Sequence, residues 1–387
     1  MADIYCGKGT NVSYDAYMTL INEVFGFTTP EQQFEGLLPK LYKPHLAPQD
    51  SSYVVTEDGE IVAAVGAFDH AVTVCGQYIP CRGIGNVAVA SKARGKGYMK
   101  DCMNAALADM VADGIALSTL GGRRQRYQYF SYEKAGTAYY FSVNADNFRH
   151  VCGSVDAPFD TLRAVTEGDT QTLADIKALC ESGDFYPVRD ADAFLDIART
   201  WHAELYAAYH GGAFKGYCII EGGSTISEVK AVSDGDFLPL LQTVFAGLGG
   251  KALTVRLPLF ADNYVRTLAP IAEGGHIGYS MCYTVLNYTL VTQAFMKLKA
   301  TYASLCDGEL CVLIHGFAGD ERLRINVSGG VPTVTTLSED SLVDVEWSHT
   351  QAMEQMFAPI SPNRADLPIA ARDWFPLPLY MYHADGV

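Results

Sequence analysis

Hydrophobic and polar positions alternate between two periods along this chain, and the switches mark its elements. Residues 14–25 place Tyr14, Tyr17, Met18, Ile21, Val24 and Phe25 at helical spacing, which predicts an opening amphipathic helix. From Ser52 the pattern becomes extended: Tyr53-Val54-Val55-Thr56, a Glu57-Asp58-Gly59-Glu60 turn, then Ile61 to Val65, which predicts a hairpin. A further extended run covers Ile84 to Ala90. It feeds a short glycine-containing stretch, after which Met99, Cys102, Met103, Ala106, Leu107 and Met110 return to helical spacing until Asp113-Gly114. Ile115 to Leu120 and Thr137 to Val143 read as strands around Gly121-Gly122 and the Tyr127–Tyr132 segment.

Residues 148–163 read as a linker, and the order then repeats. Extended runs cover 213–220 and 224–232, a helix 237–248, a strand 252–259, a helix 263–271 and a strand 277–286. A third group opens with a helix over 291–305, followed by strands at 309–316, 322–328 and 332–337. The last stretch, Asp373-Trp374-Phe375-Pro376-Leu377-Pro378-Leu379-Tyr380-Met381-Tyr382, is too apolar for a solvated tail and is expected to be tied down against another surface.

Composition narrows the classes. With 387 residues, 49% hydrophobic and 19% charged, the chain builds large cores and is not disordered as a whole. Its longest apolar run, Ile61 to Phe68, is far short of the roughly 20 residues a membrane-spanning helix needs, and no signal sequence is visible, so a cytoplasmic protein is expected. The formal charge of −16 disfavours nucleic acid and favours cationic ligands, although solubility alone is an equal explanation. None of the ten cysteines forms a Cys-x-x-Cys pair, so no metal site is expected.

The chemistry concentrates in Val87-Ala88-Val89-Ala90-Ser91-Lys92-Ala93-Arg94-Gly95-Lys96-Gly97-Tyr98-Met99-Lys100. Glycines at 95 and 97 let backbone approach a ligand, and the exposed amides at a helix start suit a pyrophosphate. A plain strand–turn–helix junction is the alternative. Lys92 to Gly97 resembles the acyl-CoA loop of the GNAT superfamily of N-acetyltransferases, Arg/Gln-x-x-Gly-x-Gly/Ala, with Lys92 at the usual Arg or Gln. Tyr127-Gln128-Tyr129-Phe130-Ser131-Tyr132 is similar to the superfamily's short fourth helix.

The element order extends that resemblance to the Eis-like acetyltransferases. It implies an α/β (α+β) fold: tandem GNAT units, each a mixed central sheet flanked by helices, then a small α+β domain resembling sterol carrier proteins. The implied divisions are 1–147, a GNAT domain with the acetyl-CoA loop; 148–288, a degenerate copy; and 289–387, the sterol-carrier-like domain, whose tail reaches the active site. In the copy, Val232-Ser233-Asp234-Gly235-Asp236-Phe237 puts two aspartates at the phosphate cradle, so no cofactor is expected there.

The same resemblance implies that acetyl-CoA, as co-substrate, is held by Val87, Ala88, Val89, Arg94, Gly95, Lys96, Gly97, Tyr98, Met99, Lys100, Gly122 and Arg123. Tyr127 would be the proton donor and the terminal carboxylate of Val387 the base. The family's tail ends in an aromatic residue and this one in Val387, so Asp385, His383 or a water chain remain rival bases. The expected activity is acetyl transfer to a primary amine of a cationic small molecule, aminoglycoside- or polyamine-like, or of a lysine side chain. A homo-oligomer, a hexamer by resemblance, is expected. The alternative is a non-catalytic CoA-binding protein, or one that binds a lipid or apolar ligand in its last domain.

Overall fold

The computed structural model describes residues 3–387. The opening helix forms over Tyr14–Phe25, where the spacing puts it; the Ser13 hydroxyl caps its start and Gly26 ends it in the left-handed region. Its apolar stripe, Tyr17, Met18, Leu20 and Ile21, packs under the hairpin strands. Those strands are longer than the sequence pattern implied, Ser52–Glu57, Glu60–Val74 and Gln77–Val89. The extra length is a second hairpin turn at Cys75-Gly76, both at positive φ, which brings Val74 opposite Gln77.

Among the described residues, thirteen strands form one mixed sheet. Strands Ile4–Lys8, Ser52–Glu57, Glu60–Val74, Gln77–Val89 and Leu117–Leu120 are neighbours in that order. The next neighbour comes from far along the chain: Gly274–Val285 lies between Leu117–Leu120 and Glu133–Val143 and pairs antiparallel with both, Cys282 opposite Leu120 and Gly274 opposite Ser142. Beyond Glu133–Val143 follow Leu253–Pro258, Thr225–Ala231, Ala213–Glu221, Glu204–His210 and Thr161–Ala164. The two element groups therefore share a sheet through exchanged strands.

The expected linker at 148–163 begins inside a helix, Ala145–Cys152. Asn144 makes a capping box with Asn147, and Phe148 is fully buried, so local capping and packing hold a turn that the polar sequence hid. Further helices span Asp234–Gly247, Asp262–Leu268 and Tyr288–Tyr302. The last starts three residues before the expected boundary because the Asn287 side chain caps it.

The third group builds a four-stranded sheet in the order Val331–Thr336, Gly319–Ser328, Gly308–Gly316, Val345–Ser348. Its core joins helices Tyr288–Tyr302 and His349–Phe357 to strand residues of the large sheet, including Val72, Ile79 and Leu117. The segment from Trp374 to Met381 is buried almost throughout in that core, as its composition predicts. No helix among the described residues is long and apolar enough to cross a membrane.

Candidate functional site

Strand Gln77–Val89 pairs in parallel with Leu117–Leu120 only from Cys81–Leu117 to Ile84–Leu120. Past that point the two separate. The register against Glu60–Val74 slips beside Gly85, and Asn86 sits at φ +39°, so the strand bends where it loses its neighbour. The parting opens a cleft of ≈ 640 Å³. Val87, Val89, Arg94, Gly95, Gly97, Tyr98, Met99 and Lys100, eight of the expected cofactor residues, line it together with Val24, Ala93, Arg126, Tyr129 and Phe130.

The loop has the form of a phosphate cradle. Gly95 and Gly97 hold φ +80° and +91°, and a Cβ on either would meet nothing within 4 Å. Those bare positions adjoin the start of helix Tyr98–Ala112, which no side chain caps. Open backbone plus an uncapped helix start is what a pyrophosphate requires, so the residues present fit the CoA group. Two of the local cations are committed to carboxylates. Lys96 Nζ bonds both Glu57 oxygens at 2.7 and 3.0 Å, and Lys92 pairs with Glu60.

Four expected cofactor residues lie off the cleft. Ala88 is buried against the opening-helix cluster, because alternate strand positions face opposite ways. Lys96 turns to Glu57. Arg123 is exposed at the start of the short helix Arg124–Tyr127, and Gly122 lies under the Tyr127 ring, where a Cβ would come 2.6 Å from Cε2. Arg126 and Tyr129 do face the cleft and were not singled out. No signal in the sequence marks them, because which face of the short helix meets the cleft depends on how that helix docks. Tyr129 is 67% exposed, with the Lys100 ammonium 5.0 Å from its ring centre, so it does not merely pack.

Tyr127 is 6% exposed. Burial raises its phenol pKa while Arg126 pulls the other way, so the hydroxyl keeps its proton at neutral pH. On the other side of Gly121-Gly122 stands Val387. Its Cγ2 occupies the space over Gly83, 2.5 Å from where a Cβ would be, with Thr119 Oγ1 and His70 Cε1 around the same point. Its carbonyl carbon lies 3.4 Å from a Cβ built on Gly85, and its O 3.9 Å from one on Gly121. Val387 and the Tyr127 ring thus both lie close to the Gly121-Gly122 pair.

The rival bases are engaged elsewhere. Asp385 is gripped by Arg189 at 2.8 and 2.7 Å, and that guanidinium also bonds Glu228 at 3.0 and 2.7 Å. Arg189 holds the Asp385 carboxyl below its ordinary pKa against the effect of burial. His383 Nδ1 lies 2.9 Å from Glu221. A chain of aromatic contacts, Phe25, Phe27, Phe34, Tyr42 and Phe68, runs along the same side of the first unit as Val387, and Trp201 from the second group joins that cluster.

Residues 8–139 match the family model of the acetyltransferase (GNAT) domain. The first unit is a GNAT acetyltransferase domain. The enzyme class expected from the sequence, an N-acetyltransferase, stands on that domain, whose acceptors are amines and whose acyl donor is acetyl-CoA. The whole chain is similar to solved structures. It matches a GCN5-related N-acetyltransferase from Kribbella flavida at 19% identity and TM-score 0.69, over 100% of this chain and 99% of that one. It matches a conserved protein of unknown function from Enterococcus faecalis V583, a probable N-acyltransferase, at 17% and 0.66, over 91% and 89%. Eis1 from Mycobacterium abscessus follows at 12% and 0.60, over 96% of each chain. At these identities the likeness is one of fold. No curated protein sequence matches the chain.

Proposed function

We propose that this GNAT domain transfers an acetyl group from acetyl-CoA to a primary amine of a cationic small molecule, aminoglycoside- or polyamine-like, or of a lysine side chain, by direct attack of the amine on the thioester. One observation carries the reading: the unit that holds a cleft whose open glycine loop and uncapped helix start fit CoA also places the Tyr127 phenol against Gly122 and Val387 near Gly85 and Gly121.

Acetyl-CoA supplies the thioester. The chain's own groups do the rest. Gly95, Gly97 and the start of helix Tyr98–Ala112 hold the pyrophosphate, with Arg94, Lys100 and Arg126 beside it. The unpaired edge of Val87–Val89 supplies backbone amides along the pantetheine arm and at the carbonyl. An aliphatic ammonium, with a pKa of about 10.4, must lose a proton before it attacks, and the Val387 carboxylate stands where that proton leaves. Tyr127 Oη holds the proton that the departing sulfur takes up. As the nitrogen–carbon bond forms and the carbon–sulfur bond breaks, the attacking nitrogen sheds its second proton, which restores the Tyr127 phenol; of the two protons nitrogen loses, one thus ends on sulfur and one leaves through the base.

The remaining divisions belong to the same reading: a degenerate second unit over 148–288, a sterol-carrier-like unit over 289–387, a cytoplasmic location and a homo-oligomer, hexameric by resemblance. Asp236 supports the degeneracy, because it sits at the helix start bonded to Ser233 and Lys215 where a phosphate would otherwise lie. The apolar-ligand reading loses ground to the third unit's packing. The inner face of its sheet, Leu310, Val312, Ile314, Leu323 and Ile325, is wholly buried under its helices.

The test is acetyl transfer from acetyl-CoA to polyamines, aminoglycosides, lysine peptides and arylamines, with products detected by mass because exposed thiols such as Cys6 and Cys306 would react with a thiol dye. Acetylated product from one amine class identifies the acceptor. Bound acetyl-CoA with no product from any class would favour a non-catalytic CoA-binding protein.

A further inference from the structure

The tail is gripped at three points, and they are not equivalent. His383 meets Glu221, and Asp385 meets Arg189. Both contacts stop short of the last peptide. Gly386 follows, its N–H bonded to the His383 carbonyl at 3.1 Å, but neither side-chain anchor touches the Gly386–Val387 peptide. The contact that reaches further comes from the first unit itself. Lys40 Nζ donates to the Ala384 carbonyl at 2.6 Å and to the Gly386 carbonyl at 2.7 Å. One ammonium therefore bridges both sides of Asp385 and fixes the peptide that carries Val387.

We infer that Lys40 is a positioning residue that sets the Val387 carboxylate at the parting of the strands. The inference rests on the proposed role of that carboxylate as base. Lys40 follows the short helix Phe34–Leu37, within the elements that wall the first unit, so the acetyltransferase domain itself seats a tail delivered by the last unit. The titratable groups that face it come from three elements: Asp385 on the tail, Arg189 before helix Phe194–Ala198, and His70 on strand Glu60–Val74, which burial lowers to about 4 and so keeps neutral. Arg189 is shared between Asp385 and Glu228, both carboxylates, which leaves Asp385 only partly neutralised and makes a second cation beside it favourable. Removal from water nevertheless pushes the Lys40 ammonium down to about 7, a strain on its charge that a solvent-exposed lysine would not carry. Two carbonyls on a flexible stem also suit lysine better than the planar fork of arginine.

The test uses the full-length protein with Lys40→Met, Lys40→Gln and Lys40→Arg. Carboxypeptidase Y digestion followed by intact mass reads the tail directly, and kcat and KM for acetyl-CoA are measured with an amine the wild type acetylates. Lys40→Met is expected to release Val387 and Gly386 at least about ten-fold faster and to lower kcat about 10²-fold, with KM for acetyl-CoA unchanged. Lys40→Arg is expected to recover part of both. Lys40→Gln, smaller and uncharged, reaches one carbonyl at best and stands in if the methionine variant does not fold. Glu221→Gln, which loosens only His383, is the control and is expected to change neither reading. Release as slow as in the wild type overturns the clamp. Faster release at unchanged kcat keeps the clamp and removes the Val387 carboxylate as base, so the two failures are distinguishable.

Discussion

Tyr127 is one tyrosine among 23, and the sequence offers it no mark beyond its place ahead of Phe130 and Tyr132. The fold distinguishes it. Tyr132 is fully buried with its hydroxyl bonded to Ser118 at 2.6 Å, and Tyr129 lies largely in solvent at the cleft. Tyr127 alone of the three is buried against Gly122, beside the place where the tail comes in. A phenol is protonated at neutral pH, so a proton is available for the departing thiolate, and burial, which raises its pKa, holds that proton more tightly. Tyr127→Phe is therefore expected to leave acetyl-CoA affinity within about two-fold and to slow turnover by about 10²-fold or more. Steady-state rates beside equilibrium binding check this, and an unchanged kcat would remove the phenol from the proton path. At this scale the sequence was legible where a residue's place follows from local spacing, as for Arg94, Gly95 and Gly97 in the loop that lines the cleft. It was not legible for Arg126, because facing the cleft depends on how the short helix Arg124–Tyr127 docks.

At the scale of elements, the strand, loop and helix from Gln77 to Ala112 follow from sequence almost directly. Glycines at 95 and 97 are required by their positive φ, and the helix that follows repeats its apolar positions at the right spacing. What hydrophobic pattern cannot show is that the strand's partner stops at Leu120, so that the loop sits at the mouth of a cleft rather than on a closed edge. Two substitutions at Gly97 separate backbone from charge. Gly97→Ala places a Cβ at φ +91°, a strain of about 1–2 kcal/mol, and is expected to weaken acetyl-CoA binding by roughly five- to thirty-fold. Gly97→Asp adds a carboxylate to the cradle and is expected to abolish measurable binding. Calorimetric titration with acetyl-CoA distinguishes them, and equal affinities for the two variants would mean that no phosphate lies there.

The whole molecule is where sequence said least. Repeated element order pointed to two similar units, but nothing in residues 274–285 indicates that this strand inserts into the first unit, between Leu117–Leu120 and Glu133–Val143. Pairing of that kind is decided by contacts more than a hundred residues apart, and the apolar pattern of a strand does not name its partner. The consequence is physical. In residues 1–147 alone, Leu117–Leu120 loses one neighbour and Glu133–Val143 loses both of its own, Gly274–Val285 and Leu253–Pro258, so three strand edges are left open to aggregation. Residues 1–147 expressed alone are accordingly expected to be insoluble or self-associated and to bind no acetyl-CoA.

The intact chain offers the complementary measurement. Its three tryptophans, Trp201, Trp347 and Trp374, all lie outside the first 147 residues, whereas the cleft beside the glycine loop, proposed to hold CoA, lies within them. In urea, tryptophan fluorescence and acetyl-CoA binding are expected to be lost at the same denaturant concentration, because the shared sheet couples the units into one cooperative transition. A monomeric 1–147 fragment that binds acetyl-CoA, or binding lost well before the fluorescence changes, would show that the exchanged strands decorate an autonomous domain instead of completing it.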